Sequence, residues 1–460
     1  MMAYFDPLFK SLVENLTKAV DEKYEPMQEQ VMNLLNASAT LIEEKFADYF
    51  NEFMPLMEKI IDNVESKTPD QMRLRARTIE SMGVMIASVA DNKSFLSTVQ
   101  RVTEKLFAGV NQEFSQEDPQ QLAIKNTLAQ TAYYLKEDFH VIAPKFLEIL
   151  VKDASVEIKL TEEYGELPSM AGQDQHSFNF KIRGMENGLR VSVNTSELEN
   201  KIAAFHHILK VSAAMGPSFE PYITLVLPVL KAHMNFTSKT LRKLCLKTFQ
   251  HLLVAKGEPQ NVGLFREFYE MFLLNILGAN TKGDLKAVKT LFKELFHCMR
   301  VISENEENTQ IFESPEKMVQ FGEVMKKCLE KVAVQKAEQM AIITEKHQSA
   351  QIDEEDLEAV QVELDKITGT AIYINECCSI LMNTYGADCA QILSQNVKPY
   401  FAQILKDYKI VTQQELQDAS YFFIEYIDKC DHSDPLAIYE VCNQLIEVAM
   451  WAKSDMTLVL

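Results

Sequence analysis

A chain of 460 residues with 47% apolar side chains can bury a large interior, and its 14 glycines and 14 prolines interrupt a composition dominated by good helix formers. The formal charge of −20, from 66 acidic and 46 basic residues, disfavours general binding to nucleic acid or anionic membrane and favours basic partners. The eight cysteines follow no metal-ligand spacing, and no stretch reaches the roughly 18 apolar residues of a membrane span. The expectation is a soluble, intracellular, all-α protein from a reducing compartment.

In chain order, helices pair with little strain. Residues 4–18 and 25–43 open the series, and 47–65 is followed by 70–90, where Leu74, Ile79, Met82, Val84, Met85 and Ile86 crowd one broad face. The pairs 92–112 with 119–136, 138–153 with 195–215, 218–235 with 238–256 and 260–279 with 283–303 follow. Then come 315–346 with 354–385, 388–407 with 413–430, and a single helix at 436–452. Pro55, Pro144, Pro228 and Pro399 each sit in an apolar run and are spaced 89, 84 and 171 residues apart. These gaps are multiples of about 43, within the period of HEAT and armadillo repeats. Repeated proline inside apolar helix predicts a kinked first helix. The predicted fold is a HEAT-repeat α-solenoid over 1–460, with about eight to nine helix pairs.

Two segments break the rhythm. From 155 to 194, FNFKI and LRVSV alternate apolar and polar residues around MENG, which predicts a small β-hairpin insertion turning at Asn187-Gly188. Residues 347–358 read as an acidic loop, in which Asp353, Glu354, Glu355, Asp356 and Glu358 could capture Lys or Arg. In the pairs Leu74-Arg75, Leu241-Arg242 and Leu285-Lys286 a basic residue opens a second helix, where it can link neighbouring repeats.

Catalytic chemistry finds no support. Gly278 to Asp284 has a Gly-x4-Gly spacing but lacks the Lys and Ser or Thr of a phosphate loop, and reads as a turn. Asp431-His432-Ser433-Asp434 cannot place a nucleophile and base from adjacent turn residues. His206, His207, His251 and His297 lack ligand partners at helical spacing. No enzyme activity, cofactor or metal is expected. The 21 methionines suit irregular helix interfaces.

The stretches EEKFADYFNEFMPLMEKIIDNV, RLRARTIESMGVMIA, QHSFNFKIRG, TSELENKIAAFHHIL and FEPYITLVLPVLKAHMNFTSKTLRKLCLKTFQHLL resemble the middle repeats of the importin-beta family, in its importin-five branch. The resemblance runs in order from about Tyr4 to the C-terminus. It implies a nuclear transport receptor that shuttles between cytoplasm and nucleus and binds basic cargo such as ribosomal proteins and histones on an acidic inner surface. It also implies Phe-Gly repeats of pore proteins held in outer apolar grooves. The first repeats, which carry most of that family's contact with Ran GTPase, have no counterpart in this sequence, so Ran-driven release is the part of the cycle it leaves unsupported. Glu80, in RTIESMG, matches a Glu of the resembling repeats and is a candidate cargo residue beside the 353–358 carboxylates; it could equally pair with Arg77. The alternative function is a HEAT scaffold that organises other proteins.

Overall fold

The computed structural model describes residues 5–39, 47–89, 92–110, 118–157, 160–165, 177–180, 188–193, 195–234, 238–304, 310–348, 354–408, 411–429 and 435–454. Contacts cluster into two units, Met1–His233 and Met234–Leu460. The first holds α1 (Phe5–Asp21), α2 (Glu25–Ala39), α3 (Ala47–Asn63), α4 (Pro69–Ser88), α5 (Leu96–Val110), α6 (Pro119–Leu135), α7 (Ala143–Ser155), α8 (Thr195–Met215) and α9 (Ile223–His233). The second holds α10 (Lys239–Lys256), α11 (Gln260–Thr281), α12 (Leu285–Ser303), α13 (Pro315–Gln348), α14 (Glu354–Tyr385), α15 (Ala390–Asn396), α16 (Lys398–Lys406), α17 (Gln413–Lys429) and α18 (Pro435–Ser454).

Each unit is a stack of antiparallel helix pairs. Second helices pack on one another in the order α2, α4, α6, α8 in the first unit and α10, α12, α14, α17 in the second. The apolar faces meet between first and second helices, where Phe50, Phe53 and Met57 of α3 and Met82 and Ile86 of α4 are fully buried. In the second unit Phe249 stacks on Phe268 at 3.9 Å and Phe401 on Phe422 at 4.8 Å. Such rings each stabilise the fold by about 1.5–3 kcal/mol through burial.

Polar caps start the helices and polar bonds set the repeat register. Thr68, Asp118, Ser238 and Asp284 accept backbone N–H bonds at the starts of α4, α6, α10 and α12. Thr412 and Glu415 form a reciprocal capping box at α17: Glu415 N donates to Thr412 Oγ1 at 3.3 Å, and Thr412 N donates to Glu415 Oε2 at 3.0 Å. Gly283 supplies the positive φ (71°) of the turn between α11 and α12, in the Gly-x4-Gly stretch. Across repeat boundaries, Tyr49 donates to Asp6, Arg101 pairs with Glu58 at 2.6 Å and Lys105 with Asp62 at 2.6 Å, each spanning 43 residues.

Two expectations are corrected and one is extended. Pro55 and Pro228 do lie inside α3 and α9, but Pro144 and Pro399 open α7 and α16. At a helix start the missing N–H costs nothing, so proline there ends a break and does not bend a helix. The hairpin expected to turn at Asn187-Gly188 is part of a larger sheet, in which Phe178 lies opposite Val191 and Phe180 opposite Leu189. The segment holds β1 (Leu160–Gly165), β2 (Ser177–Phe180) and β3 (Gly188–Val193) in the antiparallel order β1-β3-β2. Gly188 is a strand residue paired with Gly165, and Asn187 lies outside the described residues. Finally, Glu354, Glu355, Asp356 and Glu358 belong to the first turns of α14 and not to a loop, as the favourable interaction of carboxylates with a helix N-terminus allows.

Candidate functional site

Stacked second helices expose one face per helix, and the residues that lock them also fix what that face presents. Arg75 on α4 donates to Gln120 Oε1 on α6 at 2.6 Å, to the Val64 carbonyl at 2.9 Å and to the Ile61 carbonyl. It therefore ties the end of α3 to the next repeat, as the basic residue at that position is expected to do. Arg242 does not repeat the pattern: Lys239 makes the link from α10, to Asp284 at 2.6 Å, and Lys286 is exposed.

Between α14 and α17 three carboxylates converge. Asn375 Nδ2 donates to the Asp418 carbonyl at 2.9 Å and Ser379 Oγ donates to the carboxylate Oε1 of Glu425 at 3.0 Å, so one neutral and one charge-assisted bond hold the helices in register. The register sets Glu376 beside Asp418 and Glu425. Burial, followed by the charges of Glu376 and Glu415, pushes the Asp418 carboxyl up to about 6, against the hydrogen bond from Gln414. Glu376 is raised by burial and by Glu425, with Arg300 opposing. Glu415, the fourth acid nearby, is committed to Lys336 at 2.5 Å and to the cap of α17. The side chain of Tyr421 stands 66% exposed on α17 between Asp418 and Glu425, offering a flat apolar surface to a bound chain.

The residues singled out in the sequence sit elsewhere. Glu80 meets Arg77 at 3.5 Å on the exposed side of α4, a surface pair worth little. Asp353 lies outside the described residues, while Glu354, Glu355, Asp356 and Glu358 occupy the opening turns of α14, at the other end of the helix from Glu376. The signal for the observed cluster was present: Glu376 and Asp418 are 42 residues apart, one repeat, and so fall side by side on stacked second helices.

The acidic surface that the resemblance implies does not extend over every second helix. Helix α10 carries Lys239, Arg242, Lys243, Lys247 and Lys256 with no carboxylate, and α12 carries Lys286, Lys289, Lys293 and Arg300 with only Glu294. Total charge is a sum over the chain and does not dictate the sign of one face. On the first-helix side, α13 and α16 bound an apolar groove of about 560 Å³ lined by Ala333, Ala337, Met340, Pro399, Tyr400 and Ile404. Burial raises the Tyr400 phenol above its ordinary value, so it stays neutral in the groove wall.

No protein-family model matches the chain. It is 20% identical over 310 residues to importin subunit beta-3 of Saccharomyces cerevisiae, an alignment covering 65% of this chain and 27% of that protein. Solved structures of Kap121p superpose along nearly its whole length. Kap121p bound to RanGTP gives a TM-score of 0.68 at 14% identity, covering 98% of this chain and 43% of that one. Kap121p bound to Pho4p gives 0.67 at 16%, covering 98% and 41%, and Kap121p bound to Nup53p gives 0.65 at 15%, covering 92% and 36%. The chain has the fold of an importin-beta karyopherin. It spans less than half the length of the karyopherins it matches, and within that span it keeps their stacked helix pairs, on which the α14–α17 carboxylates and the α13–α16 groove are built.

Proposed function

We propose that this chain acts in nuclear protein transport, taking a basic segment of cargo on the second-helix face of α14 and α17. The observation that carries this reading is the carboxylate trio Glu376, Asp418 and Glu425, in which Glu425 raises the proton affinity of Glu376 and Glu376 that of Asp418, a charge deficit that a Lys or Arg would fill. Tyr421 supplies contact for the aliphatic stem of such a side chain. The groove between α13 and α16 is the proposed seat for a Phe-Gly segment of a pore protein, since it pairs apolar walls with a few polar groups and accommodates a ring.

A labelled Lys/Arg-rich peptide titrated into the full chain tests the cargo site. Binding should strengthen at low salt and weaken at least about tenfold in E376Q/D418N/E425Q. Undiminished binding by that variant would overturn the assignment.

A further inference from the structure

We infer that α10 and α12 form a second docking surface, for an acidic segment of a partner protein. The two helices pack together, and Lys243, Lys247 and Lys293 gather around Glu294, which is only 2% exposed. The buried carboxylate forms no ion pair among the described residues, and burial raises its proton affinity despite the three ammonium groups. Lys243, Lys247, Lys286, Lys289 and Lys293 form no salt bridge among the described residues, Glu294 acting on the nearest three only at longer range. Lys293 lies over the Tyr373 ring at 5.9 Å, and Lys289 runs along Gly369 of α14. Natural surfaces intersperse the two signs of charge, so a one-sign stripe on two adjacent helices of a −20 chain is suited to an anionic ligand.

The stripe's limits select the class of ligand. Beyond α12, where Arg300 pairs with Glu304 at 3.7 Å, the same face turns acidic at Glu376, Asp418 and Glu425. Nucleic acid carries charge without interruption and would run onto those carboxylates and into the field of the whole chain. A protein segment can end its acidic run. Neighbouring helices lie about 8–10 Å apart, so about four to six extended residues at roughly 3.3 Å each cover both. The surface does not depend on cargo binding at α14 and α17.

Fluorescence anisotropy of the full chain with a labelled peptide of about six consecutive glutamates tests this. Saturable binding should weaken at least about tenfold in K243E/K247E/K293E and less in K243Q/K247Q/K293Q, which guards against misfolding of the reversed variant. The control K59E/K145E/K152E makes the same charge change at exposed lysines of α3 and α7 and should weaken binding far less. Equal losses in K243E/K247E/K293E and this control, absence of saturable binding at low salt, or tighter binding of a length-matched oligothymidylate would each overturn the inference.

Discussion

Asn375 on α14 donates its side-chain amide to the backbone carbonyl of Asp418 on α17 at 2.9 Å, placing the Asp418 carboxylate against the acidic groups of the preceding repeat. The bond is neutral, so it holds two helices together without cancelling the charge beside it. Asn375→Ala removes it and should destabilise the protein by about 1 kcal/mol. Urea unfolding of the full chain measures this, and an unchanged midpoint would show that the bond contributes nothing.

The raised Asp418 carboxyl sets the sign of one pH effect. Its folded value, about 6, lies above the ordinary 3.8, so the folded state binds the extra proton and the stability it contributes is lost as pH rises between those values. The shift corresponds to roughly 3 kcal/mol at face value, and solvent screening of this half-buried group reduces it to about 1–2. Asp418→Asn should therefore stabilise the protein by about 1–2 kcal/mol at pH 7 and by little at pH 4. A basic peptide bound there should release protons and bind less tightly below pH 6, readable by titration calorimetry in buffers of different ionisation enthalpy.

His207 has the opposite sign. It is buried on α8 with Nε2 2.6 Å from Asn126 Oδ1, and burial, then Lys210, His206 and Lys125, lower its value to about 3. Stability present above pH 6.5 is lost as pH falls toward 3, about 2 kcal/mol by pH 5 from this group. His207→Leu should flatten that acid limb in chemical unfolding measured from pH 7 to 5.

Arg75 offers a fourth test, because one guanidinium serves three acceptors in two repeats. Arg75→Ala should cost about 2–3 kcal/mol, and Arg75→Lys should recover only part, since an ammonium cannot reproduce the planar fork. Equal stability of the lysine variant and the native chain would contradict the multidentate role.

Two glycines make opposite predictions from the same substitution. A Cβ at Gly369 would meet the far end of Lys289, Nζ at 2.2 Å, which can swing away, so Gly369→Ala should gain up to about 1 kcal/mol of helix propensity. At Gly322 it would meet Ile392 Cγ2 at 2.5 Å, a branched side chain held in the core, and Gly322→Ala should cost about 1–3 kcal/mol. Thermal unfolding of the pair checks the sign.

Helix pairing was legible because apolar periodicity and the proline spacing both report the repeat, down to the break between α13 and α14. Position within a helix was not: an apolar run around proline reads alike whether the ring interrupts it, at Pro55, or begins it, at Pro144. Strand β1 escaped because Glu162 and Glu163 spoil the alternation that marks β3. The carboxylates of 354–358 read as a loop since a solvated run and a helix N-terminus share that composition. The observed cluster was harder still, because Glu376 and Asp418 are unremarkable letters until the repeat register sets them side by side. A chain-wide charge likewise averaged away the lysines of α10 and α12.

The bond between Asn126 and His207 shows what the strand-bearing segment costs the fold. Its ends are 81 residues apart in sequence, whereas the Arg75–Gln120 bond closes a span of 45. Because the entropy of closing a loop grows only with the logarithm of its length, the added residues cost about half a kcal/mol. An appendage of that size can therefore lengthen, shorten or change its sequence while the helices on either side keep their seats, which leaves it open to variation at almost no expense to folding.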